Sequence, residues 1–184
     1  MKKAISLWLA ITISFLTMAQ ENVQSSNKML LEAASCGNVQ GIKKAISLGA
    51  DVNCKDNQGN TPINLGAKLS NYKQVKYFMD LGAAINTPNN DSITPLHYSV
   101  EYNNVNMVKL LLEKGANIDA RDLSQETPLH WAVWTGNIAS AKLLLKFGSN
   151  PLTQNNTGVT PLDLTIRQEH VELERIFRKA IRKQ

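Results

Sequence analysis

Thr94-Pro95-Leu96-His97 recurs as Thr127-Pro128-Leu129-His130, and in altered form as Thr61-Pro62-Ile63-Asn64 and Thr160-Pro161-Leu162-Asp163. The four threonines stand 33 residues apart. A fixed period of this length marks a stack of small units, each unable to bury its apolar face alone and each covering its neighbour's. The phrase also reads as a helix start. Thr is a good N-cap, Pro suits the first helical position because its missing N–H would have no partner there, and His97 can bond back toward Thr94.

The unit from Thr94 to Glu126 shows the plan. Leu96, Ser99, Val100 and Asn103 follow the spacing of one helical face, with Ser99 small where helices must approach; Gly66, Ala132 and Thr165 hold the same place in the other units. After Asn103-Asn104, a second helix buries Val108, Leu111 and Leu112, and Gly115 ends it in the left-handed conformation that glycine tolerates. Gly49, Gly82 and Gly148 stand at the same phase. The polar stretch that follows, Asn117 to Asp122, is expected to turn as a projecting hairpin before the next threonine.

With Thr127-Pro128-Leu129-His130-Trp131-Ala132 and Leu110-Leu111-Leu112-Glu113-Lys114-Gly115-Ala116-Asn117-Ile118 in view, the chain resembles the ankyrin-repeat family. The resemblance implies an all-α solenoid of five helix-turn-helix units with projecting β-hairpin loops. Counting back 33 from Thr61 places the first unit at Lys28, giving repeats 28–60, 61–93, 94–126, 127–159 and 160–184. The first lacks Thr-Pro and the last stops after its second helix, as terminal caps do.

Residues 1–19 read as a secretory signal peptide: Lys2 and Lys3, an apolar run from Ala4 to Leu16, then Thr17-Met18-Ala19 with cleavage after Ala19. The run falls short of the roughly 18 apolar residues that span a bilayer, so an uncleaved anchor is the weaker reading and no stable membrane insertion is expected. Its pattern resembles a bacterial export signal, which places the chain in the periplasm or outside the cell. Residues 20–27 form a polar linker, and 28–184 the repeat domain.

The formal charge is +5, and loss of Lys2 and Lys3 leaves 18 basic residues against 15 acidic. Arg175, Arg178, Lys179, Arg182 and Lys183 crowd the last ten residues, so residues 20–174 carry a net −2. A nucleic-acid surface needs a basic stripe across the body of the fold, which is lacking here. Cations in the last turns of a terminal helix instead complement its dipole. Cys36 and Cys54, in an exported chain, invite a disulfide, but the repeat plan sets them at opposite ends of a helix, about 12 Å apart.

No Gly-rich phosphate loop, zinc-type cysteine spacing or nucleophile elbow is present, and no cofactor or metal is implied. His97 and His130 fall at helix starts and His170 after a first helix, which makes all three structural. Asp119, Asp122 and Glu126 fall in the loops, where solvated charge is the default reading. Asn90-Asp91-Ser92 and Asn155-Asn156-Thr157 match the glycosylation pattern at loop tips.

If Leu96, Ser99 and Val100 face the core, Glu101 and Tyr102 face away, with Lys68 and Leu69, Trp134 and Thr135, and Arg167 and Gln168 beside them. The resemblance implies a non-enzymatic monomer that binds a partner protein on this concave side and the loop tips. The candidate contact residues are Leu69, Ile93, Tyr102, Leu123, Glu126 and Trp134, because exposed aromatic and aliphatic groups on one face anchor interfaces. Packing between repeats is an equally good reading of Tyr102 and Trp134. Tyr98 and Trp131 replace Leu65 and Leu164 and are read as packing residues. The expected role is an envelope adaptor or stabiliser; the alternatives are an inhibitor or immunity protein against a toxin, or a secreted host-directed effector.

Overall fold

The computed structural model describes residues 2–182. Among these residues ten helices follow one another as α1 (Lys2–Ser35), α2 (Val39–Ser47), α3 (Pro62–Lys68), α4 (Tyr72–Asp80), α5 (Pro95–Glu101), α6 (Val105–Glu113), α7 (Pro128–Trp134), α8 (Ile138–Lys146), α9 (Pro161–Arg167) and α10 (Val171–Ile181). Each repeat from the second on contributes a short inner helix and a longer outer one, whereas in the first the inner helix is the long α1. Inner helices pack in sequence, α1 on α3, α3 on α5, α5 on α7 and α7 on α9, and the outer helices from α4 to α10 do the same. The core is the seam between these rows.

Position in the period fixes burial. Ala45, Phe78, Leu111, Leu144 and Phe177 share one place in the outer helices, and all five are fully buried. Leu96, Ser99 and Val100 are buried as expected, and so are Val108, Leu111 and Leu112; Met107, one residue before that stripe, is buried too. Close approach explains the small residue at Gly66, where an added Cβ would sit 3.1 Å from the Val75 side chain. Gly115 has φ of +88° at the end of α6, the left-handed stop that its place requires.

Asparagines join the repeats at the inner-to-outer turn. Asn38, Asn71 and Asn104 cap α2, α4 and α6, each accepting a backbone N–H from the first turn. The Asn104 amide also donates to the Ser70 carbonyl at 3.1 Å, and Asn137 donates to the carbonyls of Val100 at 2.8 Å and Glu101 at 3.1 Å. The Gln74 amide reaches the Ala34 carbonyl at 2.9 Å. Side-chain amides thus satisfy the orphan carbonyls at the ends of the preceding inner helices.

The loops at 50–60, 83–93, 116–126 and 149–159 project as four fingers. Among the described residues they form no strand. Each finger closes on two backbone bonds at its tip, such as Asp122 N–H to the Glu126 carbonyl at 3.1 Å and Gln125 N–H to the Asp122 carbonyl at 2.9 Å, so the expected hairpins are tight turns too short for a β-ladder. One Asx residue organises each tip. The Oδ1 atoms of Asp56, Asn89, Asp122 and Asn155 accept the N–H groups two and four residues on, at 2.8 to 3.0 Å. This corrects the solvated reading of Asp122, which is 8% exposed. Its charge is spent on ordering its own loop.

The N-terminal region departs most from expectation. Residues 20–27, read as a linker, lie in the middle of α1, with Ser26 buried and Asn27 Oδ1 accepting the Asp51 N–H at 2.7 Å. Residues 2–19 continue the same helix. Met1, Lys183 and Gln184 lie outside the described residues. No helix among those described is long and apolar enough to cross a membrane. At the basic end, Arg178 pairs with Glu174 at 2.7 Å, and Arg178 and Lys179 occupy the last turn of α10.

Both cysteines are free, Cys36 exposed and Cys54 half-buried. Burial, aided by the charges of Asp51 and Asp56, pushes the Cys54 thiol up to about 11. A thiol-directed maleimide at pH 7 is therefore expected to modify Cys36 first, with Cys54 following at least about tenfold more slowly until urea unfolds the chain. Equal rates, read by mass spectrometry, would contradict the burial of Cys54.

Candidate functional site

The inner-helix N-termini account for the histidines. The Thr94 N–H donates to His97 Nδ1 at 3.2 Å, which leaves the ring proton on Nε2 to donate to the Glu126 carbonyl at 3.3 Å. His130 repeats this with the Thr127 N–H at 3.0 Å and the Val159 carbonyl at 3.2 Å. Asn64 does the same work without a ring, accepting the Thr61 hydroxyl at 2.6 Å and donating to the Ile93 carbonyl at 3.3 Å. Burial lowers both histidines, His97 to about 4, so at neutral pH each is an uncharged clamp between a helix start and the next finger. His170 caps the start of α10 by position, without a side-chain capping bond. Among the described residues no group of His, Cys, Asp and Glu could hold a metal ion.

Tyr98 and Trp131 also take structural places. Tyr98 is 6% exposed, and its hydroxyl accepts the Asn89 amide at 3.1 Å. Trp131 donates from Nε1 to Asp122 Oδ2 at 2.9 Å and meets the edge of His97, ring centroids 5.2 Å apart. Both reach the Asx residue nine positions back. An aromatic with a polar tip fills the leucine's place and ties the helix to the base of a finger.

The ends of the inner helices are different. Leu69 and Tyr102 end α3 and α5 and are 45% and 47% exposed; Trp134, the last residue of α7, is 52% exposed; and Leu123, at the tip of the third finger, is 64% exposed. Ile93 is half-buried and packs against the core. It is a wedge at the base of its finger and offers little free surface. Glu126 is half-buried and holds Trp134: the indole Nε1 lies 3.0 Å from both carboxylate oxygens. Asn155 donates to Glu126 Oε1 at 3.2 Å. Glu126, itself steadied by Asn155 of the next finger, thus orients the indole while leaving it half exposed. Nearby on the same side, burial raises the Glu101 carboxyl and Lys68 partly offsets it.

Trp134 and Glu126 form one wall of a cleft of 530 Å³ whose other wall is Arg167 and Gln168 of the last repeat, with Ser124 and Asn156 at the finger tips. Sequence reading placed Arg167 and Gln168 on this side but missed the cleft. The signal was present in Trp134, the one aromatic at a phase that holds Ser35, Lys68, Glu101 and Arg167 in the other repeats. Gln168 Oε1 is buried at this cleft without a hydrogen-bond partner among the described residues.

These side chains sit on a scaffold that matches known models and proteins. Residues 30–122 match a model of three-copy ankyrin repeats, and residues 100–145 a second model of ankyrin repeats in many copies. The chain belongs to the ankyrin-repeat family. It is similar to an ankyrin repeat protein of Rickettsia felis, 37% identical over 51 residues that cover 28% of this chain and 81% of the relative. A second Rickettsia felis ankyrin repeat protein is 39% identical over 44 residues, covering 24% of this chain and 67% of that one. Ankyrin repeats are generally non-enzymatic modules for protein–protein interaction, which agrees with the structural places taken by the histidines here.

Proposed function

We propose that this ankyrin-repeat chain is an exported, non-catalytic scaffold of the bacterial envelope that holds a partner protein on the concave face centred on Leu69, Tyr102 and Trp134, with Leu123 and Glu126 at the finger tips. The observation that carries it is Trp134. An indole whose N–H is held by the Glu126 carboxylate, itself steadied by Asn155, yet 52% exposed, has the rigidity and open area of an interface anchor. Leu69 and Tyr102 extend the same face over two more repeats. The leader-like start of the chain supports export, and the bacterial source of its relatives supports the envelope.

Trp134→Ala is expected to weaken capture of the partner from an envelope extract by about 2 kcal/mol, roughly 30-fold in Kd, with stability changed by less than about 0.5 kcal/mol. Glu126→Gln, which keeps the size and loses the charge that holds the indole, should have a smaller effect in the same direction. Loss of stability with full retention of binding would place Trp134 in packing instead.

A further inference from the structure

The outer helices carry a cation at one phase through the whole stack. Lys43, Lys76, Lys109, Lys142 and Arg175 stand 33 residues apart, near the middle of α2, α4, α6, α8 and α10, and all five are exposed. Lys109 pairs with Glu113 at 3.7 Å and Lys142 with Glu172 at 3.1 Å, both contacts open to solvent. Lys43, Lys76 and Arg175 make no ion pair among the described residues. From α4 on the outer helices pack in sequence, so these cations recur at about the 8–10 Å that separates packed helices. That is close to one Debye length at physiological salt, and the row repels itself unless an outside charge answers it.

The row belongs to a wider division of charge. Among the described residues, the outer helices with the residue that ends each hold twelve basic side chains and four acidic, and the remainder of residues 20–182 holds five basic and eleven acidic. All twelve basic side chains are exposed. The net −2 of residues 20–174 is thus the sum of a basic outer face and an acidic side made of inner helices and fingers. A basic stripe does cross the body of the fold, contrary to the expectation from net charge. Division of this kind also sets an orientation, because an anionic surface attracts the outer helices and repels the fingers.

Apolar side chains accompany the cations. Val39, Tyr72 and Val171 begin their outer helices, and Leu48, Leu81 and Phe147 end theirs, all 37% to 74% exposed. Four of the five cations in the row are lysines, hydrated point charges rather than the planar fork that keys to a single phosphate. A polynucleotide would answer the charge and leave the apolar groups in water. An acidic protein would answer both only through a patch matched to this spacing. An anionic bilayer presents charge without register, and its interface takes aromatic and aliphatic side chains at headgroup level.

We propose that the outer-helix face docks this chain reversibly on an anionic lipid bilayer, with the inner helices and fingers turned away from it. Attachment is peripheral, combining a polybasic face with shallow apolar contacts, the two signals that stable anchoring requires. It is independent of the partner-binding reading of Trp134, which the docked orientation leaves open.

Vesicles test it. The full chain is titrated with vesicles of phosphatidylcholine alone and with vesicles containing about one-third phosphatidylglycerol, and bound protein is read by co-sedimentation. Neutral vesicles give the baseline for everything but charge, the apolar start of the chain included. Anionic vesicles are expected to bind at least about a hundredfold more tightly and to lose that margin between about 50 and 300 mM salt. Lys43→Gln, Lys76→Gln and Arg175→Gln together should remove about a hundredfold, since each cation at an anionic surface is worth about a factor of five. Lys28→Gln, Lys55→Gln and Lys68→Gln remove as much charge from the other side and should cost less than about threefold. Trp134→Ala should bind vesicles as the parent does. Melting curves that match the parent show that both triple variants are folded. The proposal is overturned if neutral and anionic vesicles bind alike, if the outer triple variant binds as the parent does, or if the inner triple variant loses as much. It is also overturned if a short duplex DNA binds more tightly than the anionic vesicles at equal phosphate charge, which would give the face to a polynucleotide. Sedimentation that shows the parent self-associating and the outer triple variant monomeric would likewise overturn it, giving the face to the acidic side of a second copy.

Discussion

Leu111→Ala is expected to lower the stability of the chain by about 3 kcal/mol, a fall of about 10 °C in melting temperature for a domain of this size. Leu111 lies in α6 and is fully buried in the seam, in the row that holds Phe78 before it and Leu144 after it. Truncation removes three carbons and opens a cavity between short helices whose positions are fixed by their own turns, so little relaxation can fill it. The site is also in the middle of the stack. In a solenoid each unit is held by its neighbours, and a weakened third repeat uncouples the pairs on either side. Lys109→Ala, on the exposed face of the same helix and paired with Glu113 at 3.7 Å, is the control and should move the melt by less than about 0.5 kcal/mol. An unchanged melt for Leu111→Ala would refute the seam as the source of stability.

The second large effect is acid destabilisation through His97. Above pH 6.5 the imidazole is neutral in folded and unfolded chains alike, and pH has no leverage on stability through it. Below that, the unfolded chain takes up the proton first, because burial lowers the folded group to about 4. Stability is then lost at about 1.4 kcal/mol per pH unit until the folded group also titrates near pH 4, a total of about 3 kcal/mol. His130 is lowered in the same direction and adds to the loss. Asp163 acts in a different window. The Thr160 hydroxyl and then the Thr160 N–H hold its carboxyl below the ordinary 3.8, so its contribution is lost only as pH falls further. The chain supplies its own test in Asn64, which joins the Thr61 hydroxyl to the Ile93 carbonyl of the next finger with no group to titrate. His97→Asn should keep neutral-pH stability within about 1 kcal/mol and flatten the urea midpoint between pH 6.5 and 4. Parallel acid losses in parent and variant would show that His97 is not the sensor.

Asn64 and His97 also show why so much could be read in the sequence. In a repeat stack a side chain's neighbours are 33 residues away at the same phase, so one well-read unit assigns the environment of four others. That logic placed the buried rows at Leu111 and Ser99, the left-handed glycines and the histidines at helix starts, though not their bonds to the next finger. It fails where the phase has no precedent. Residues 20–27 look like a polar linker because their partner, the side of the first finger, is met only in three dimensions through Asn27 and Asp51. It fails also for Asp122. A carboxylate in a polar loop looks solvated until its bonds to Ser124, Glu126 and Trp131 are seen. The concave face was half legible. Exposure of Leu69, Tyr102 and Trp134 follows from phase, whereas the hold of Glu126 on the indole and the cleft beside Arg167 depend on side-chain directions that no period dictates.

The side-chain amides that join one turn to the next, Gln74 to Ala34, Asn104 to Ser70 and Asn137 to Val100 and Glu101, have a mechanical consequence. Each bridges only adjacent repeats, so under a pull on the two ends the junctions stand in series and each bears the whole force. Stretched in an optical trap, the molecule would yield in short steps of one repeat or a pair, at forces set by its weakest junction. Such an array behaves as a soft spring, able to follow a partner's movement by peeling and reseating a single unit while the remainder stays folded.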